Sequence, residues 1–288
     1  MSRRAALKTV VAGSAAVAVT GLTSQVQASE PQSAKLKGNI RHSVSRWCYG
    51  KYSLDELCKA SKDMGIEAIE LLNPDEWPVV QKYGLTVAMC QGAGLGIDNG
   101  FNDPSLHDEL VQSYEKVIPM VAEHGLTNLI CFSGRRRGMS DEQGWVNCVQ
   151  GLKRLMPLAE KHNVVLIMEL LNSYGHRDYQ CDHTAWGVEL CKRLGSPNFK
   201  LLYDIYHMQI MEGNIIEIMT KNIDYIGHVH TGGNPGRNEI DETQELYYPA
   251  IMKALVATGY KKFVGQEFVP KNEDGLASLK KCIQICDV

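Results

Sequence analysis

Four strand-like runs each close on or beside a residue able to hold a cation. FKLLYD ends on Asp204, VVLIMEL carries Glu169, YIGHVH ends on His230 and KFVGQEF carries Glu267. A carboxylate at the end of a buried apolar run is costly unless it is paired or binds a cation. The four follow one another at intervals of about one βα unit, so in a closed barrel their side chains can converge at one mouth. Three carboxylates and one imidazole make an oxygen-rich donor set that suits Mg²⁺ or Mn²⁺ more than a thiolate-seeking metal. The competing reading of each acid on its own is a helix cap or an ion-pair partner.

Elements that could carry these residues alternate along the chain. Strand-like runs fall at 40–45, 68–72, 86–91, 128–132, 164–170, 199–205, 225–230 and 262–268. Helix-like segments lie between them at 54–64, 105–124, 141–162, 184–194, 215–221 and 248–258, with a last one after Asn272. This order predicts a (β/α)₈ TIM barrel, with a doubly wound open sheet as the alternative. Ser53, Ser105 and Asp141 are expected N-caps. Gly65, Gly84, Gly125, Gly195 and Gly259 stand where a helix C-terminus calls for a left-handed residue. Gly92 to Gly96 resembles a phosphate cradle but lacks the Lys and Ser/Thr of a P-loop, so a strand-to-helix loop is the plainer reading.

The first 28 residues have a different character. MSRRAALK is basic, residues 9–22 are apolar and uncharged, and Val26-Gln27-Ala28 offers a cleavage site. We expect an export signal at 1–28, a short linker at 29–38 and one barrel domain at 39–288. The apolar run is too short to span a bilayer, so no permanent membrane span is expected. Arg3-Arg4 resembles the twin-arginine signal, with Ala6 where that family usually has Phe. That implies the twin-arginine export machinery as a partner, folding in the cytoplasm and delivery to the periplasm or the exterior. Losing Arg3, Arg4 and Lys8 from 30 basic residues leaves 27 against 33 acidic ones. This argues against a nucleic-acid partner. The nine cysteines all follow the signal, mostly inside apolar runs, and are expected to be buried free thiols rather than a disulfide framework.

The segments LIMELLNSYGHRDY, KLLYDIYHMQIMEGN, IGHVHTGGNPGRNEI and FVGQEFVP resemble hydroxypyruvate isomerases of the xylose-isomerase-like TIM-barrel superfamily. The resemblance implies that Glu169, Asp204, His230 and Glu267 hold one divalent cation, and that Glu169 and Glu267 exchange protons with substrate. It implies substrate contacts for His207 and Arg237, and Glu70 on the second strand is grouped with them. The implied reaction is aldose–ketose isomerisation of a small hydroxy-carbonyl compound, most like hydroxypyruvate to tartronate semialdehyde, through a metal-stabilised enediolate. A hydride shift is the rival mechanism. His230 stands where the isomerase pattern has Gln and is similar to the ketose 3-epimerases.

Four alternatives therefore stand beside the isomerase: a ketose or keto-sugar epimerase, an inosose-type dehydratase, an apurinic endonuclease and a non-catalytic sugar or hydroxy-acid binder. The endonuclease fits poorly, since its three-metal site needs more His and a basic face. A homo-oligomer is compatible with the sequence. His228 faces the same way as His230 on an extended strand and is expected in the barrel core. Arg135-Arg136-Arg137 follows the fourth strand as an anion anchor or a solvated loop, and Trp47 and Trp77 either wall the pocket or belong to the core.

Overall fold

The computed structural model describes residues 35–288. The expected signal at 1–28, and the linker as far as residue 34, lie outside the described residues. Eight parallel strands follow one another: β1 (Arg41–Ser45), β2 (Ala68–Glu70), β3 (Thr86–Val87), β4 (Asn128–Cys131), β5 (Val165–Glu169), β6 (Phe199–Asp204), β7 (Ile226–Thr231) and β8 (Phe263–Gln266). They pair in the order β3-β2-β1-β8-β7-β6-β5-β4. The ends of that row meet through Cys90, just beyond β3, which bridges Leu72 on one side and Leu129 on the other. Cys90 N–H donates to Asn128 O at 2.9 Å, and Ile130 N–H donates to Cys90 O at 3.0 Å. The sheet is therefore a closed barrel, as the alternation in the sequence predicts, and the open-sheet alternative falls.

The helices are α1 (Leu54–Met64), α2 (Trp77–Lys82), α3 (His107–Glu123), α4 (Asp141–Leu152), α5 (Met156–His162), α6 (Thr184–Leu194), α7 (Ile205–Met211), α8 (Ile215–Lys221), α9 (Tyr248–Ala257) and α10 (Gly275–Cys286). Ser53 starts α1 with a capping box, its hydroxyl taking the Glu56 N–H while the Glu56 carboxylate takes the Ser53 N–H. The five glycines expected after helices all have φ between 66° and 82°, a conformation that costs a residue with a Cβ.

Several local expectations change. The single helix expected at 141–162 is two, because Pro157 has no N–H to continue it and its ring crowds the carbonyl one turn back. Ser140, not Asp141, caps α4, and Asp103, not Ser105, caps the short 3₁₀ turn before α3. Ile205 leaves the sixth strand and begins α7 instead.

Inside the barrel the strands point alternate residues inward. Met89, Ile130, Ile167 and Leu202 form a small apolar cluster of their own. The side made by β7, β8, β1 and β2 instead carries His228, His230, Ser43, Ser45 and Glu70, all fully buried. The larger core joins the outer faces of the strands to the helices, and all nine cysteines are buried and free. Among the described residues no helix is long and apolar enough to cross a membrane.

Candidate metal centre and active site

Glu169 ends β5, Asp204 ends β6, His230 lies one residue from the end of β7, and Glu267 follows β8 directly. These are neighbouring strands, so four successive C-terminal ends bring four donors together. One donor atom from each lies within 4.8 Å of all the others. From His230 Nδ1 the distances are 2.7 Å to Glu267 Oε2, 3.8 Å to Glu169 Oε1 and 4.0 Å to Asp204 Oδ2. The residues are 0–5% exposed.

Asp204 has a second task that explains its position. Its Oδ1 accepts the backbone N–H of His207 at 3.2 Å, capping α7 at the point where β6 stops. One carboxylate thus ends a strand, starts a helix and turns its other oxygen to the site. The loop after β7 then returns Arg237 across the mouth. Its Nη2 donates to Asp204 Oδ2 at 2.9 Å and also to Glu267 Oε2. The guanidinium lies over the rings of Trp47 and Tyr206, 5.3 and 5.4 Å from their centroids. Arg237 has φ 56°, and at nearby Gly233 a Cβ would meet Glu239 O at 2.2 Å. The loop can follow this path only with glycine there. Among the described residues Arg237 Nη1 has no partner.

Burial raises the Glu169 carboxyl above the usual range, and the charge of Glu267 adds to the effect. Burial also raises Asp204, against the opposing pull of Arg237. At Glu267 burial pushes the same way, but Arg237 and then His230 outweigh it and hold the group well below the usual range. Two glutamates a few ångströms apart are thus tuned in opposite directions, the pattern of an acid and a base.

His207 supplies a different function. Asn172 N–H donates to its Nδ1 at 3.2 Å, so Nδ1 is an acceptor and the proton of the neutral ring sits on Nε2. Nε2 is buried without a hydrogen-bond partner and lies 3.6 Å from Asp204 Oδ2. Burial holds the ring well below its ordinary pKa, so it stays neutral. The result is a neutral donor directed at the acid cluster. His176 packs edge-on against it at 5.3 Å and lines a cavity of about 740 Å³ among the loops after β3, β4 and β5. Gly96 lines the same cavity, which makes the glycine-rich stretch a mouth loop.

Glu70 is placed away from the position expected of a substrate contact. It is wholly buried, with Ser43 Oγ and Ser45 Oγ donating to it at 3.1 and 3.4 Å and His228 Nε2 2.6 Å away. Burial would raise its pKa, but the charges of His228 and His230 bring it down to about 2. Trp77 is core, with Nε1 donating to Leu72 O. Trp47 belongs to the site, since its Nε1 donates to Glu267 Oε1 at 2.7 Å and nearly half its surface is exposed. Each member of 135–137 meets an aspartate: Arg135 with Asp98, Arg136 with Asp141 and Arg137 with Asp103. The sequence reading missed Asn172 and Tyr206, although both lie inside segments it singled out.

The donors fit a divalent ion. His230 Nδ1 is buried without a well-aligned hydrogen-bond partner, three carboxylates surround it, and no thiol takes part. This suits Mg²⁺ or Mn²⁺.

The sequence profile of the xylose isomerase-like TIM barrel family matches residues 58–285. The chain is 30% identical over 169 residues to the hydroxypyruvate isomerase of Escherichia coli strain K12, covering 58% of this chain and 65% of that enzyme, a little under two thirds of its length. It is 25% identical over 231 residues to the 2-oxo-tetronate isomerase of Pectobacterium atrosepticum, covering 76% and 88%. Among solved structures, a family 2 AP endonuclease from Brucella melitensis superposes with a TM-score of 0.76 at 20% identity, covering 83% of this chain and 97% of that one. The 3-keto-D-glucoside 4-epimerase of E. coli superposes with 0.71, also at 20% identity, covering 85% and 98%. At that identity both support the fold alone.

Proposed function

The chain belongs to the xylose isomerase-like TIM barrel family, and from that premise we propose that it is a metal-dependent isomerase of a short hydroxy-keto acid, most like hydroxypyruvate to tartronate semialdehyde. The observation that carries this reading is the convergence of Glu169, Asp204, His230 and Glu267 at the ends of four neighbouring strands, β5 to β8, with a glutamate on each outer side. The relatives named as isomerases of hydroxypyruvate and 2-oxo-tetronate support the substrate class.

Aldose–ketose isomerisation moves a proton between two adjacent carbons. Glu267 and Glu169 stand on the outer two of four neighbouring strands, so each can approach one of those carbons. Glu267, kept ionised by Arg237 and His230, takes the proton from the hydroxyl-bearing carbon. Glu169, on the opposite outer strand, returns one to its neighbour. His207 Nε2–H donates a hydrogen bond to a substrate oxygen and keeps its proton. Arg237 offers Nη1 to the substrate carboxylate, a group its planar fork matches. When bound, a divalent cation held by Glu169, Asp204, His230 and Glu267 supplies positive charge that offsets the charge developing on the substrate oxygens. The rings of Trp47 and Tyr206, both close to the Arg237 guanidinium, limit the room for water beside it.

A second reading, a keto-sugar epimerase on the same scaffold, draws on His230 in place of the Gln of the isomerase pattern. We also propose export by the twin-arginine route, on the strength of Arg3-Arg4 and the apolar run that follows. The function is tested with a panel of short keto acids and ketoses assayed on metal-stripped protein and after adding Mn²⁺ or Mg²⁺. We expect hydroxypyruvate-type substrates to turn over only with metal. Full activity of the stripped protein, or turnover confined to an epimerised sugar, would overturn the reading.

A further inference from the structure

Beneath the four converging donors lies a second polar cluster, Glu70, His228 and His230, with no exposed atom to explain it. His230 belongs to both clusters. Its Nδ1 faces Glu169, Asp204 and Glu267, and its Nε2 lies 3.1 Å from Glu70 Oε1. Glu70 comes from β2, which two strands separate from β7 in the sheet, so its side chain has to cross the interior past β1 and β8.

The sequence clears that path. β1 presents only Ser43 and Ser45, whose hydroxyls donate to the two oxygens of Glu70. β8 presents Gly265, the residue paired with His230 in the register. A Cβ on Gly265 would meet Glu70 Oε1 at 1.8 Å and His230 Cδ2 at 2.9 Å. Because Glu70 is backbone-anchored on a buried strand and pinned from three sides, it cannot move aside at little cost. A glycine here is what the Glu70–His230 approach requires.

We infer that Glu70 is a positioning residue that fixes the ring of His230, holding a proton on Nε2 so that Nδ1 is the nitrogen left to a cation among the three carboxylates. Carboxylates flank both nitrogens of the ring, Glu267 Oε2 2.7 Å from Nδ1 and Glu70 Oε1 3.1 Å from Nε2; a cation bound at Nδ1 would displace the proton there, and the proton facing Glu70 is the one the ring keeps. Without Glu70 the ring could place its proton on either nitrogen, and the form protonated on Nδ1 cannot bind a cation there. His228 Nε2, 2.6 Å from Glu70 Oε2, holds the other oxygen and so orients the carboxylate. The inference rests on the metal-centre reading of the proposed function.

The test compares the full chain with Glu70→Gln by calorimetric titration with Mn²⁺ and by the ¹⁵N shifts of the histidine rings with Mg²⁺ present. Loss of a carboxylate that orients a metal-bound histidine weakens binding by about 10–100-fold. We therefore expect one Mn²⁺ per wild-type chain, binding weakened by that factor in the variant, and His230 shifts that move from a single tautomer toward a mixture. Unchanged affinity and unchanged His230 shifts in folded Glu70→Gln would overturn the inference while leaving the metal centre standing. No Mn²⁺ binding by the wild type would instead remove the metal reading and this inference with it. Two Mn²⁺ per wild-type chain, with only one lost in the variant, would show the lower cluster to be a metal site itself and likewise overturn it. If Glu70→Gln fails to fold, Ser43→Ala with Ser45→Ala decides. Freeing the carboxylate should weaken Mn²⁺ several-fold and move the same shifts, and wild-type values for both would refute the role.

Discussion

Replacing either flanking glutamate by glutamine removes a basic oxygen while keeping size, and the surroundings of the two predict different kinetic signatures. A general acid or base contributes about 10²–10⁴-fold in rate, or about 2.7–5.4 kcal/mol at 1.36 kcal/mol per factor of ten. Glu169 makes no hydrogen bond with Arg237, whereas Glu267 accepts from both Arg237 and Trp47. Glu169→Gln should thus lower kcat by that factor with KM nearly unchanged. Glu267→Gln should lower kcat similarly and also loosen Arg237, the proposed anchor of the substrate carboxylate. A charge-assisted hydrogen bond is worth about 1.5–3 kcal/mol, which puts the added rise in KM at about 10–100-fold. The assay is steady-state kinetics on protein shown by metal analysis to be loaded, with solvent deuterium incorporation to follow each proton. Loss of Glu169 should leave substrate C–H exchange with solvent while product formation falls. If both loaded variants turn over at the wild-type rate, the paired-glutamate mechanism fails. Product that carries no solvent deuterium would point instead to a hydride shift.

Removing the neutral donor with His207→Asn should leave metal content unchanged and lower kcat by about 10²-fold, the usual effect of losing one preorganised donor; a variant that loses its metal instead would show His207 to be a structural support of the centre. Burial without a hydrogen-bond partner lowers the pKa of His42 from 6.5 to about 4. Between those values the unfolded chain takes up a proton that the folded chain refuses, so stability falls as pH drops from about 6.5 toward 4, by up to about 3 kcal/mol. Urea midpoints of wild type and His42→Leu at pH 7 and 5 check this, since the variant should lose that part of the acid sensitivity and an identical pH dependence in both would refute it. Arg3→Lys with Arg4→Lys keeps the charge but should hold the precursor inside the cell, and efficient secretion of the double variant would rule out the twin-arginine route.

Much of the barrel was legible because its signals are local. Helices α1, α6 and α8 have the boundaries their caps and periodicity predict, and each expected C-terminal glycine is left-handed. The failures also have local causes. The expected sixth strand runs one residue too far, to Ile205, and the short helix after it was not expected, because only the structure shows Asp204 capping α7. The helix at Trp77–Lys82 is six residues long with Pro78 in its first turn, too short for a periodic pattern. The convergence of Glu169, Asp204, His230 and Glu267 was legible because strand ends in a barrel share a rim. Glu70 sits at a strand end as well, yet its role depends on Gly265 and two serines from other strands. Asn172 is hidden for the same reason, since it acts on His207, far from it in the chain, and the choice between pocket wall and core for Trp47 is decided only by its bond to the distant Glu267.

The charge of the site gives a reason for a divalent rather than a monovalent ion. At the mouth three carboxylates face one guanidinium, a formal charge of −2 if His230 is neutral. Lower down, Glu70 is held by the hydroxyls of Ser43 and Ser45 and lies beside His228, away from the ring of donors at the mouth. Excess negative charge in a buried site is relieved by protons or by a cation, and the raised carboxyls of Glu169 and Asp204 are the proton side of that balance. A doubly charged ion removes the excess without leaving the site positive. It also lets Arg237 turn its free Nη1 outward to an acid substrate rather than spend every donor on the protein. The apolar quarter formed by Met89, Ile130, Ile167 and Leu202 needs no such balance. It anchors the strands by burial alone, which leaves the polar side of the barrel free to be arranged for chemistry.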